Sequence, residues 1–181
     1  MTNKEKGSAV RLIAASAILL LATPAFAETA LKPALAPVAF LVGNWDSGEG
    51  KVAETGGTSK GGSIMTVESD GSAILRRDHT ELFDKAGKPA GGFHQTMLIY
   101  PDGGTLKADY VDGEGHAIHY VSAAATPGKS VTFTSAAGQG PMFRLTYDAQ
   151  SADILAITFG MTPPGQSEFR PIATGTLTRA K

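Results

Sequence analysis

From residue 43 onward the chain is a succession of short β-like runs whose connections are too short to hold a crossover helix. The runs fall near residues 44–54, 62–69, 73–83, 92–100, 105–111, 116–124, 130–136, 142–148, 153–160 and 168–179. They are rich in Thr, Val, Ile, Phe and Tyr, and no window carries a convincing helical period. Turn chemistry divides them, as at Asp70-Gly71, Pro101-Asp102-Gly103-Gly104, Asp112-Gly113-Glu114-Gly115, Thr126-Pro127-Gly128 and Pro163-Pro164-Gly165. Asp-Gly pairs supply the positive φ that tight hairpin turns need, and Pro interrupts a central ladder. A parallel connection takes a dozen or more residues, so neighbouring strands must run antiparallel. Strands that pair in succession either leave two exposed edges or close on themselves, and closure removes the edges. The expected fold is all-β, an antiparallel up-and-down barrel of about ten strands. The rival is a β-sandwich, which typically needs longer Greek-key connections. One helical candidate, around residues 35–42, is suited to cap the barrel.

The first residues have a different character. Lys4, Lys6 and Arg11 make a basic start, residues 12–22 are an apolar run too short to span a bilayer, and Ala25-Phe26-Ala27 is a small-x-small pattern. This predicts a signal peptide over 1–27, cleaved after Ala27, and a periplasmic or secreted protein. Residues 28–39, with Pro33 and Pro37 among alanines, read as a flexible lead-in, and 40–181 as a single barrel domain with a sizeable core. The chain has no Cys, hence neither a lipid-anchor cysteine nor a disulfide. A formal net charge of −1, made more acidic by loss of the leader, argues against nucleic acid. No polybasic amphipathic stretch argues for a membrane surface, so no membrane insertion is expected after cleavage, and the protein is expected to be a monomer.

Strand alternation predicts the interior. Turns centred at 86–87, 102–103 and 113–114 pair Arg76 with Met97, Met97 with Ala108, and Ala108 with His119. Two residues along, Asp78 pairs with Gln95, Gln95 with Tyr110, and Tyr110 with Ala117. Phe93, Met97 and Ile99, then Leu106, Ala108 and Tyr110, then Ala117 and Val121, are the apolar sets of successive strands, and they agree on one face. That face carries Arg76, Asp78, Gln95, Tyr110 and His119. Later strands add Phe133, Phe143, Leu145, Tyr147, Leu155, Ile157 and Phe159 to it, whereas Arg144 points outward. A one-residue bulge would exchange the two faces.

Buried charges demand partners. A structural Arg76–Asp78 pair with waters is one reading of the polar interior. The other is a binding cavity in which Arg76, Asp78, Gln95, Tyr110, His119 and Tyr147 orient a small apolar or amphipathic molecule. On the opposite face His79, His94, Val111 and His116 form a row. Val111 separates His94 from His116 by about 9–10 Å, so solvated histidines are expected there and no metal. Asp109, Asp112 and Glu114 are too close together in sequence for an EF-hand loop, and a hairpin turn explains them. No G-x-S-x-G elbow, P-loop, H-E-x-x-H helix or dinucleotide fingerprint is present, so no catalytic residue is assigned. Asp78 with His119 is the one candidate acid–base pair in the interior.

Gly43-Asn44-Trp45 near the start and Gly175-Thr176-Leu177-Thr178-Arg179 at the end resemble the calycin (lipocalin-like) superfamily. The resemblance implies that Trp45 fills the closed end and that Arg179 lies over it. Phe40-Leu41-Val42-Gly43-Asn44-Trp45-x-x-Gly48-Glu49-Gly50 is similar to the opening of nitrobindin-like barrels. Residues 109–120 and Phe143-Arg144-Leu145-Thr146-Tyr147 resemble a bacterial exported calycin-like family of unassigned function. Nitrobindins hold haem through a histidine close to the C-terminus. This chain has no histidine after His119, and no cofactor is expected. The leading expectation is an exported barrel that binds a small, partly apolar ligand in its interior. The alternatives are an envelope structural or interaction barrel without a cavity ligand and, less favoured, a cavity enzyme or haem protein.

Overall fold

The structure, a computed structural model, describes residues 29–138 and 140–181, so the signal peptide expected over 1–27 lies outside the described residues. Among the described residues ten strands follow one short helix. They are β1 (Gly43–Val52), β2 (Gly57–Glu68), β3 (Ala73–Phe83), β4 (Pro89–Asp102) and β5 (Thr105–Asp112), then β6 (Ala117–Thr126), β7 (Ser130–Ser135), β8 (Met142–Ser151), β9 (Ile154–Thr162) and β10 (Arg170–Arg179). Each pairs antiparallel with the next, and β1 pairs with β10 to close the barrel.

Three turns show how local chemistry sets register. The β3–β4 pairing is as expected, with Arg76 opposite Met97, Asp78 opposite Gln95 and His79 opposite His94. In the β4–β5 hairpin, Gly103 and Gly104 both take positive φ (58° and 80°) and form a two-residue turn between Asp102 and Thr105. Met97 therefore faces Tyr110 and Gln95 faces Asp112, two residues from the expected partners. A shift of two preserves which side chains point inward.

The β5–β6 hairpin differs by one, and that reverses a face. Asp112 accepts hydrogen bonds from the backbone N–H of Glu114 (3.0 Å) and of His116 (3.0 Å), and Gly115 takes φ 91°. These contacts build a longer turn that ends in a left-handed glycine, where a two-residue turn was expected. Val111 thus pairs with Ala117 and Asp109 with His119. Ile118 and Tyr120 become the buried set of β6, whereas His119 is an outward residue with its side chain 84% exposed. Val121 is likewise exposed, contrary to its expected inward place.

One end of the barrel is plugged. Residues Pro33–Leu41 form a 3₁₀ helix with Pro37 in its interior, where the missing N–H breaks any α-helical ladder. Three residues per turn bring Leu35, Val38 and Leu41 onto one line, and all three are fully buried. Part of the stretch read as a flexible lead-in is thus packed structure. The helix is tied to two hairpin turns at this end, by Lys32 N–H to Gly71 O (2.9 Å) and Gly128 N–H to Pro37 O (2.9 Å).

Trp45 completes the plug. It is 3% exposed, and its indole N–H donates to Leu41 O at 2.8 Å. Arg179, its direct partner across β1–β10, places its guanidinium carbon 4.2 Å from the ring centroid and donates to Val42 O (3.1 Å) and Ala152 O (3.2 Å). Gly43 has φ 143°, and a Cβ there would come 2.2 Å from an Arg179 nitrogen, so another residue would strain the backbone and push the guanidinium aside. The join between the first and last strands is therefore stitched by one aromatic and one cation.

Replacing Trp45 by Ala removes the largest side chain of the plug and should cost about 3–5 kcal/mol. Arg179→Ala, which keeps the indole but uncovers it, should cost less, about 1–2 kcal/mol. Urea unfolding of the two variants checks both, and a Trp45→Ala midpoint equal to the parent's would contradict the plug.

Candidate functional site

Packing that is tight at the plug stops partway along the barrel. Ile74, Ile99 and Leu155 are fully buried in one cluster with the helix side chains, and they lie outside the lining of the main cavity. Beyond them opens a cavity of about 630 Å³. Interiors that side chains can fill do not leave such a space, and its size is that of a small-molecule pocket.

The boundary between packed and open interior is a polar crossbar. Arg76 on β3 reaches across the ring to β8, where its guanidinium donates to Tyr147 OH at 2.6 Å. The same nitrogen lies 3.7 Å from the Met97 sulfur. The other terminal nitrogen contacts the Asp78 carboxylate and lies 3.3 Å from Gln95 Oε1. Gln95 in turn donates to Thr80 Oγ1 at 2.8 Å. Burial opposes the Arg76 charge, but the neighbouring Asp78 and Tyr147 outweigh it and hold the guanidinium pKa above its ordinary value. Burial also pushes the Tyr147 phenol up to about 12, against the pull of the Arg76 charge, so it stays a neutral partner.

The walls divide by chemistry. Ser63 on β2, Arg76 and Asp78 on β3 and Gln95 on β4 form a polar wall, in which Ser63 pairs with Asp78 and Asp78 with Gln95. Across the ring, Phe143 and Leu145 on β8, Ile157 and Phe159 on β9 and Leu177 on β10 form an apolar wall. The rings of Phe143 and Phe159 stack there at 5.6 Å. Phe93 and Ile118 extend the apolar surface, and Tyr110 and Tyr120 complete the lining. Burial raises the pKa of both phenols, and at Tyr110 a hydrogen bond to Asp112 (3.0 Å) adds to the effect.

The residues expected in the interior therefore have distinct fates. Arg76, Asp78, Gln95 and Tyr110 line the cavity. Tyr147 is fully buried behind the lining and acts on the cavity only through Arg76. His119 must be removed from the set. It stands on the outer surface with Nδ1 2.6 Å from Asp109 Oδ1, and Tyr100 OH donates to the same carboxylate at 2.9 Å. An Asp78–His119 acid–base pair is excluded with it, because the two side chains lie on opposite sides of the wall. Ser63 and Tyr120 were not anticipated. The larger side chains of Ile118 and Tyr120, set against Ala117 and Val121, were the available signal for Tyr120.

The mouth is ringed by Glu54, Lys60, His79, Asp112, Glu114 and His116. Single ligand atoms of Asp112, Glu114 and His116 lie within 4.8 Å of one another. The Asp112 oxygens are already engaged by two backbone N–H groups, by Tyr110 and by His116 Nδ1 at 2.9 Å. Burial works against the Asp112 charge, but these donors prevail and hold its pKa below the ordinary carboxylate range. The cluster is thereby accounted for as the device that builds the hairpin.

The chain matches no family model, and no curated protein matches it. Among solved structures it is similar to that of Rv2717c from M. tuberculosis, with a TM-score of 0.61 and 16% identity over 83% of this chain and 99% of that one. This likeness, at so low an identity, is one of fold alone, a closed antiparallel barrel. A structure of EF1p2_mFAP2b bound to DFHBI also matches, with a TM-score of 0.42 and 14% identity over 80% of this chain and 98% of that one, too low a score to bear on function.

The crossbar gives a stability test. Asp78→Ala leaves the Arg76 charge buried beside neutral groups and should cost about 3–5 kcal/mol. Replacing both residues by apolar ones, Arg76→Met with Asp78→Leu, should recover most of that loss. Guanidinium chloride unfolding of the single and double variants makes the comparison, and a double variant weaker than Asp78→Ala would show that the pair is not the stability element described.

Proposed function

We propose that this protein binds a small, partly apolar molecule inside the barrel. The observation that carries the reading is the 630 Å³ cavity with an apolar wall facing a wall of hydrogen-bonding groups. A barrel serving only as a structural or surface-interaction element has no need to leave its interior unfilled, since each void forfeits packing energy. Apolar walls would supply the affinity, through area removed from water, and the polar wall the orientation.

Nile red, a neutral dye that brightens in apolar surroundings, is expected to bind the parent protein. Ile157→Trp, which fills part of the cavity from its apolar wall, should weaken that binding about tenfold or more while leaving a folded circular-dichroism spectrum. Equal affinity in parent and variant would place the dye elsewhere and sink the reading.

We further propose, from the basic start, apolar run and Ala25-Phe26-Ala27 pattern, that the protein is exported as a member of a bacterial calycin-like family. Intact mass spectrometry of the chain recovered from the cell envelope or medium should give a product that begins at Glu28. Recovery of the full-length chain from the cytoplasm alone would overturn this.

A further inference from the structure

Cavity binding, taken as the premise, leaves open what the polar wall recognises. The hydrogen-bonding capacity that the protein leaves unused answers this. A guanidinium has five N–H donors in a fixed fork. Those of the two terminal Arg76 nitrogens are directed at Tyr147, Met97, Asp78 and Gln95, whereas Nε has no partner. One Asp78 oxygen is engaged by Arg76, and the other, Oδ1, has none. Ser63 Oγ, on the residue directly across from Asp78, is also buried without a partner. Buried polar atoms of this kind are rare, because each forgoes its bonds to water. Here a donor, an acceptor and a hydroxyl that can be either occur together on three lining residues.

The charges narrow the chemistry. The Arg76 cation is already matched by Asp78, with both side chains 8% exposed. A ligand carboxylate at this depth would add a second anion beside Asp78, and an ammonium would add a second cation beside Arg76. Like charges in a dry site disfavour ionisation strongly. The rim points the same way, since Glu54, Asp112 and Glu114 outnumber Lys60 there. We infer that the inner end of the cavity takes an uncharged head group that both accepts and donates hydrogen bonds, such as the amide or hydroxyl of a short amphiphile, in preference to a carboxylate. Small rotations that turn Ser63 Oγ and Asp78 Oδ1 toward the cavity let the head accept from Ser63 and donate to Asp78 Oδ1, and the alkyl part lies along Phe143, Ile157 and Phe159.

A matched series separates the possibilities. Octanamide, 1-octanol, octanoate and octylammonium share a chain and differ in the head, and their affinities can be measured by calorimetry and by displacement of Nile red at neutral pH. Octanamide should bind about tenfold tighter than octanoate, and octylammonium should also fall below it. Ser63→Ala removes a hydroxyl that makes no hydrogen bond within the protein, so it should fold normally and lower octanamide affinity about threefold. Asp78→Asn leaves the Arg76 charge uncompensated and should move octanoate ahead of octanamide. If that variant does not fold, the order in the parent protein and the Ser63→Ala comparison still decide. Octanoate binding as tightly as octanamide, or an unchanged octanamide affinity in Ser63→Ala, overturns the head-group inference while cavity binding stands. Binding of none of the four, together with no Nile red binding, overturns both.

Discussion

Pairing of the first strand with the last is the constraint from which the remaining architecture follows. Ten strands in a meander would otherwise leave β1 and β10 as open edges, each a row of unpaired backbone groups. The structure removes both by joining them, and it reinforces the join at its weakest place, where two chain ends meet. Trp45 and Arg179 lie directly opposite across that seam, and their side chains stack and bond to backbone carbonyls from the helix and the β8–β9 turn. Closure also dictates size. A ring of this many strands encloses more volume than one layer of inward side chains can fill. The 3₁₀ helix fills one end, and the rest stays open.

Where the open part begins is decided by the Arg76–Tyr147 crossbar. A long cationic side chain in the middle of an apolar interior is costly unless every neighbour works to hold it. Asp78 supplies the countercharge, Tyr147 and Gln95 accept hydrogen bonds, and Met97 offers a soft sulfur. The same side chain separates the dry plug from the cavity and presents a polar floor to whatever enters. Structural and recognition roles thus coincide in one residue.

How much was legible can be followed through three hairpins. The β3–β4 register was readable because the turn is centred at 86–87, and the alternation of Phe93, Met97 and Ile99 agrees with the face it turns inward. At β4–β5 the expected register was two residues off, and no inward residue was lost, because the side-chain period is two. At β5–β6 it was one residue off, which moved His119 to the outer surface and brought Tyr120 into the cavity. The deciding event there is a carboxylate, Asp112, that captures two backbone N–H groups of its own turn. An Asp-Gly pair announces a turn, but the sequence does not say how many residues that turn will use.

The sequence by itself determined antiparallel order and the inward places of Arg76, Asp78, Gln95 and Tyr110, because turn spacing and alternation are local properties, and it pointed to closure over a sandwich and to a helical cap. Only the tertiary structure decided that Arg76 meets Tyr147, a residue 71 positions away, across the width of the barrel. It alone revealed the depth at which packing gives way to cavity, and the unpaired Ser63, Asp78 and Arg76 atoms at that depth. These depend on distances across a closed ring, which arise from the summed geometry of all ten strands and are encoded in no single segment.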